Sequence, residues 1–422
     1  MRKVQALVAV LPFGTSLLGA LFVSALFFST LFLSTTAIAS TVLYEHRLPP
    51  GFGQIVPDVS YFLDPSGDTS LDDVLKRSFE KVREYPPQFG YTDAAVWLTF
   101  KYRNPGDIVW LSVNYPMLDD VQIFILDEHQ NLLSAYPLGD RLNFIERVLL
   151  RPEFTVPLPA SESPISVYLR VQSGSSLEVP MTISEDVVLR QTMESSAWIQ
   201  GLFFGAMVML GLYHILIFLS SGDRSYLYFG GLSLTMALIQ ATLWGRSYQF
   251  LWPESPGWND IAVSVLINAS NFFGVLYIAK VVKICESHRW INIAAMTLAT
   301  TSAVMVGLSL SLPYPDVIYP TLLLSMMTFI TGATMVIVRM RRGYPPAFAV
   351  FVAGLMYTLG SASYILGKLG VFNNSLLLDN ALALGQLLQV LLFAFALSVR
   401  MAMDKELRER AQRDTAHAPV SY

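Results

Sequence analysis

From residue 197 onward the chain alternates long apolar runs with short polar turns. Seven runs stand out, at 197–220, 225–244, 261–282, 290–312, 317–338, 345–366 and 381–399. Each holds about 20 residues, the length a helix rising 1.5 Å per residue needs to cross a hydrocarbon core of roughly 30 Å. A backbone in lipid must satisfy its own hydrogen bonds, and the runs lack the two-residue alternation of a barrel strand. The pattern therefore predicts seven membrane-spanning helices.

Between about 41 and 190 the texture is different: short runs of period two, broken by Pro, Gly, Asn and Asp, predict an all-β domain. The clearest piece has Val96, Leu98, Phe100 and Tyr102 alternating with Trp97, Thr99, Lys101 and Arg103. The turn signal Asn104-Pro105-Gly106-Asp107 follows, and then Val109, Leu111, Val113 and Tyr115 alternate with Ile108, Trp110, Ser112 and Asn114. Pairing Arg103 with Ile108 puts both apolar sets on one face and predicts a hairpin. Further strands are expected at 121–126, 154–158, 165–171 and 180–183, with turns at 127–130 and 173–176. Only 71–83 has helical spacing, through Leu71, Val74, Leu75, Phe79 and Val82. Two antiparallel sheets packed as a sandwich are the expected architecture. Residues 191–196 join this domain to the first apolar run with almost no slack, so the linker should transmit force or rotation.

At the start, Met1-Arg2-Lys3, the apolar run 17–33 and Ala37-Ile38-Ala39 predict a secretory signal over 1–39, cleaved after Ala39. An uncleaved anchor is the alternative, and in either case the domain at 40–190 is exported. Beyond the last run, 401–413 reads as a charged helix whose apolar positions Met401, Leu407 and Ala411 are candidate relay contacts. Residues 415–422 read as disordered.

Charge orients the bundle. The turns after the first, third and fifth runs, with the tail, hold 11 Lys and Arg; the turns after the second, fourth and sixth hold 2. That bias places the C-terminus in the cytoplasm and the β domain outside. Hydrophobic content of 53% with 14% charged residues fits a membrane protein with a modest soluble part. Residues 40–194 carry 22 acidic against 12 basic side chains, which offers nucleic acid no basic patch. Cys285 is the only cysteine, so no intrachain disulfide forms.

In the β domain Trp97, Lys101, Arg103, Trp110 and Asn114 fall on the face opposite the apolar set of the expected hairpin. Aromatic area flanked by hydrogen-bonding groups suits a saccharide or another small ligand. The alternative is that a loop, or the helix near Leu75, covers this face. Within the bundle His214, Gln240, Asn268, Asn271, Gln386 and Gln389 are expected to bond between helices. Gly201 and Gly205, spaced as small-x-x-x-small, are a candidate homodimer contact. The sequence shows no glycine-rich phosphate loop or metal-ligand cluster, and the last run has no lysine. Asp119 and Asp120 are neighbours on a strand and point to opposite faces. An enzyme is not expected, nor a cofactor.

Several motifs together resemble a known family, the bacterial seven-transmembrane receptors with diverse intracellular signalling modules, of the type carrying the second class of extracellular sensor domain. In the β domain these are Val96-Trp97-Leu98, Arg103-Asn104-Pro105, Tyr115-Pro116-Met117-Leu118-Asp119, Gly139-Asp140-Arg141, Tyr168-Leu169-Arg170-Val171-Gln172 and Leu177-Glu178-Val179-Pro180. In the bundle they are the stretch 201–205, Tyr213-His214 and Asp223-Arg224-Ser225-Tyr226-Leu227-Tyr228. The resemblance implies a jelly-roll-like sandwich similar to carbohydrate-binding modules, sensing a periplasmic ligand, and a bundle that relays the event inward. Family members usually continue into a histidine kinase or diguanylate cyclase. This sequence stops at Tyr422, so the expected output is a separate cytoplasmic partner of that kind, or else the receptor is truncated. The competing reading is a membrane scaffold or permease-like component that captures saccharide without signalling.

Overall fold

The computed structural model describes residues 54–416 apart from 57, 84, 91, 105, 175, 176 and 369–379. The expected signal at 1–39 and the end of the tail at 417–422 lie outside these residues.

Alternation between residues 54 and 185 builds a sandwich. Strands β2 (Ser60–Asp64), β3 (Glu80–Lys81), β5 (Ala95–Asn104), β7 (Asp120–Leu126), β8 (Leu132–Leu138) and β10 (Ser161–Gln172) form a six-stranded sheet in the order β3-β2-β5-β10-β7-β8. Strands β1 (Gln54–Ile55), β6 (Val109–Val113), β9 (Phe154–Leu158) and β12 (Met181–Glu185) form a four-stranded sheet in the order β1-β12-β6-β9. A small ribbon pairs β4 (Gln88–Gly90) with β11 (Leu177–Glu178). The pairings are antiparallel. In the larger sheet three rungs cross β5, β10 and β7: Val96-Val171-Val121, Leu98-Leu169-Ile123 and Phe100-Val167-Ile125. They pack against Leu111, Val113, Val156, Leu158 and Met181 of the smaller sheet, all fully buried. Filling this layer with branched side chains from both sheets is what holds a domain without disulfides together.

The structure corrects two local expectations. β5 and β6 do not pair, because the turn at 104–107 carries the chain from the six-stranded sheet to the four-stranded one. Asn104 still closes that turn, donating from Nδ2 to the Asp107 carbonyl at 2.6 Å and accepting from the Gly106 N–H at 3.0 Å. The helix expected over 71–83 is confined to α1 (Leu71–Val74), capped by Ser70, and Glu80 and Lys81 pair instead with Tyr61 and Ser60 of β2.

Seven long helices follow: α2 (Asp186–Ser221), α3 (Arg224–Leu243), α5 (Pro256–Val281), α6 (Arg289–Ser309), α7 (Tyr314–Arg341), α8 (Pro345–Lys368) and α9 (Ala381–Ala416), with the short α4 (Arg246–Phe250) after α3. Each of the seven is long and apolar enough to cross a membrane. α5 is central, touching α3, α6, α7, α8 and α9, and α9 returns to α2 and α3. Close approach between α2 and α3 rests on Gly211 and Gly230; a Cβ on Gly230 would stand 2.8 Å from the Gly211 carbonyl oxygen. Gly201 and Gly205 are exposed, and a Cβ on either would meet nothing within 4 Å among the described residues. The linker expected at 191–196 is itself helical: α2 starts at Asp186, directly after Glu185 of β12. At 36 residues each, α2 and α9 are about 54 Å long, well beyond a hydrocarbon core of roughly 30 Å.

Candidate functional site

The five ligand candidates in the β domain do not form one face. Trp97, Lys101 and Arg103 stand on the outer side of the six-stranded sheet, whereas Trp110 and Asn114 belong to the outer side of the four-stranded sheet. Trp97 is 1% exposed and stacks on Phe124 at 5.9 Å between ring centres. Phe79 lies against Phe62 and Tyr168 of the same outer face, so the segment following α1 covers part of it. Trp110 is half-buried. Lys101 is exposed, Arg103 donates from Nε to the Glu162 carbonyl at 2.7 Å, and Asn114 donates to the Thr182 hydroxyl at 3.0 Å. The shared face expected from the hairpin disappears because its two strands lie in different sheets.

What the structure does assemble is a joint between the sandwich and the bundle. The connection from β8 to β9 begins at Gly139, whose φ of +138° favours glycine. A Cβ there would stand 2.1 Å from the Asp119 carbonyl oxygen. Asp140 N–H then bonds the Leu118 carbonyl at 2.9 Å, and Arg141 pairs with Asp119 at 2.7 Å. From this anchor the connection descends on α4 and its flanks. Phe144 N–H donates to the Pro253 carbonyl at 2.9 Å, Tyr248 hydroxyl to the Leu142 carbonyl at 2.6 Å, and Gln249 Nε2 to the Leu150 carbonyl at 2.9 Å. Gly245, at φ +69°, lets the backbone pass under Pro116 and Pro152; a Cβ would come within 2.9 Å of each proline's Cβ.

Arg147 is the centre of the joint. It is 7% exposed, with its guanidinium 4.5 Å from the ring centres of both Phe144 and Phe154 and 5.8 Å from that of Tyr248. Nη1 donates to the carbonyls of Arg151, at 3.0 Å, and Pro152. A flat cation between two rings, with Nη1 donating to two carbonyls, is an arrangement that suits arginine better than lysine. Burial lowers its pKa to about 10, which leaves it charged at neutral pH.

Asp140, 8% exposed, accepts from Asn259 Nδ2 at 3.3 Å, and Asn259 in turn accepts from Trp252 Nε1 at 3.2 Å. Burial, and after it the nearby Asp119 and Asp260, push the Asp140 carboxyl up to about 8, against the opposing pull of Arg147 and Arg141. The sign follows from linkage. With a docked pKa above the ordinary carboxylate value, docking is most favourable below about pH 4 and is progressively penalised as pH rises to about 8. We expect the melting temperature of the full chain in nanodiscs to fall from pH 5 to pH 8 by several degrees more than that of Asp140→Asn. Parallel curves for the two proteins would refute the assignment.

At the opposite end a second cluster ties the tail to the bundle. Arg400 of α9 donates to Asp223 at 3.1 Å and to the Ser225 hydroxyl, both at the start of α3. One turn on, Asp404 pairs with Lys283 at 2.7 Å and lies 3.6 Å from Arg400. Tyr226 hydroxyl reaches Met401 Sδ. Of the three relay candidates, Met401 therefore belongs to this latch, while Leu407 and Ala411 are exposed on the continuing helix. In the spans, Asn268 bonds Thr321 and Asn271 bonds Ser325, each at 2.8 Å, as interhelical contacts. His214 instead bonds the Leu210 carbonyl of its own helix at 2.8 Å and packs on Phe229. Arg147 and Arg400 carry the two clusters without having stood out in the sequence, since their partners lie on other elements.

The chain matches two family models. The one described as 7TM diverse intracellular signalling covers residues 196–400, and the one described as 7TMR-DISM extracellular 2 covers residues 56–185. No protein of curated function matches the sequence. The extracellular match ends with β12 at residue 185, and the membrane match begins at residue 196, inside α2.

Proposed function

Because the chain belongs to the seven-transmembrane receptors with diverse intracellular signalling modules and carries their second type of extracellular sensor domain, we propose that it reports a small molecule bound outside the cell to a separate protein inside. In this reading the sandwich faces the periplasm of a bacterial inner membrane, the tail is cytoplasmic, and the ligand is a saccharide or a comparable periplasmic metabolite. Leu407 and Ala411 present the output to a histidine kinase or diguanylate cyclase. The observation that carries the proposal is continuity: β12 passes into α2 without an intervening loop, so a shift of the sheet is delivered to the bundle as a shift of a helix. Such a relay works only if the ligand binds one arrangement of the bundle better than another.

The test uses the full chain in nanodiscs with a panel of saccharides and small metabolites. A ligand of the native state raises the melting temperature. The proposal expects that ligand also to change hydrogen exchange over 400–413. Stabilisation with an unchanged tail would overturn the relay and favour a scaffold that only captures its ligand.

A further inference from the structure

The bundle holds a partly open cavity of about 540 Å³ between α3, α5, α7, α8 and α9. That volume falls in the range of small-molecule sites. Among the described residues no Asp, Glu, Lys, Arg or His lines it, which favours an uncharged occupant, since a bare charge at membrane depth is costly. The wall is mainly Leu, Ile, Val, Met and Phe, but polar side chains interrupt it, among them Gln386 and Gln389 on α9 and Thr328 on α7. They are 2%, 8% and 9% exposed, and among the described residues Gln386 Oε1, Gln389 Oε1 and Thr328 Oγ1 have no hydrogen-bond partner.

Polar side chains in membrane helices ordinarily bond to a neighbour, and Asn271 and Ser325, on the same cavity wall, do so. An unpaired polar atom away from water costs free energy, so each one calls for an account. Other buried oxygens of the spans are also unpaired, at Gln240, Ser264, Asn268, Ser302 and Ser361, but none of these residues lines the cavity. Being unpaired is therefore not what distinguishes the three. What does is that they share one apolar chamber large enough for a ligand.

We propose that this cavity is a second binding site, separate from the sandwich, for an uncharged lipophilic alcohol or phenol whose hydroxyl lies among Gln386, Gln389 and Thr328. A hydroxyl fits this set because it both donates and accepts: it donates to an amide oxygen of α9 and accepts from the Thr328 hydroxyl of α7. Water could meet the same groups, but it would leave the larger apolar part of the chamber unfavourably hydrated. Phe393 of α9 also lines the chamber, seven residues before Arg400 of the tail latch. An occupant thus bears directly on the helix that leaves the bundle as the tail. The alcohol could be resident in the bilayer or arrive from outside, and the chemistry of recognition is the same.

The probe is a dodecyl alcohol carrying a diazirine, compared with its methyl ether, on the full chain in phosphatidylcholine nanodiscs. Wild type should be labelled on α7 and α9 by the alcohol at least roughly fivefold more than by the ether, the ratio corresponding to about 1 kcal/mol of hydrogen bonding. Gln386→Leu/Gln389→Leu should lose that preference. Gly354 lines the cavity and a Cβ there meets nothing within 4 Å, so Gly354→Leu should fill space without a clash and suppress labelling by both probes. Melting curves of the variants establish that they are folded. Equal labelling of wild type by alcohol and ether would reduce the chamber to a gap for acyl chains, and no labelling above the lipid-facing background would make it a water-filled void; either result overturns the proposal. Extraction of the protein purified from its own membranes separates the sources. A co-purified alcohol points to the bilayer, and a clean extract with positive labelling points to an external ligand.

Discussion

Replacing Arg147 by methionine is expected to lower the stability of the full chain by about 3 kcal/mol or more and to release the β8–β9 connection from α4. Methionine keeps some of the apolar bulk but leaves the carbonyls of Arg151 and Pro152 without their donor and removes a cation lying over the Phe144 and Phe154 rings. A buried hydrogen bond to a charged group is worth about 1.5–3 kcal/mol and a desolvated cation–π contact about 2 kcal/mol, so the losses exceed what methionine packing returns. Arg147→Lys should recover less than half, because an ammonium lacks the flat face that lies over the Phe144 and Phe154 rings. Melting curves in nanodiscs together with hydrogen exchange over 139–153 decide the matter. Unchanged melting and protection in Arg147→Met would mean the joint is held elsewhere.

The second large effect is expected at Gly360. Its added Cβ would stand 2.5 Å from the Ala381 carbonyl oxygen and 3.0 Å from the Gly385 Cα, both backbone atoms of α9 that cannot swing aside. Gly360→Ala should therefore push α8 and α9 apart at a cost of about 1–3 kcal/mol, the usual range for overpacking. Gly354→Ala is the matched control on the same helix: it has open space, and the gain in helix propensity makes it neutral or slightly stabilising. Equal melting temperatures for the two variants would contradict the close approach of α8 and α9.

The spans were legible in the sequence because lipid imposes a length and a composition on every crossing segment. Their ends were less so, since helix continues beyond the bilayer wherever nothing stops it. Residues 186–196 contain neither Gly nor Pro, and α2 runs through them from Asp186. In the sandwich, alternation correctly identified Val96, Leu98 and Phe100, and also Val109, Leu111 and Val113, as core residues. It could not assign them to sheets. Both sheets face one shared core, so a strand shows the same inward pattern whichever sheet it joins, and a four-residue turn at 104–107 serves a crossover as well as a hairpin. The helical spacing of 71–83 misled because Phe79 packs on the aromatic face of β2 and β10 and the residues after it pair with β2. Arg147, Asp140 and Arg400 acquire their roles from partners far along the chain, and no local pattern encodes that. Gln386 and Gln389 were visible as polar residues in a span, but that their amide oxygens have no partner among the described residues could be seen only once the neighbouring helices were in place.

The latch at the end of the bundle has a geometric consequence for the tail. Arg400 and Asp404 are successive teeth of α9, held by Asp223 on one side and Lys283 on the other. A helix advances about 100° per residue. Slipping α9 by a single residue would carry both teeth out of register and turn everything beyond them by more than a quarter of a circle. Such a screw step, about 1.5 Å along the axis with about 100° of rotation, would turn a different stripe of the same helix outward. The quantity handed across the membrane in that case is an azimuth, with Arg400 and Asp404 as the detent that keeps it discrete.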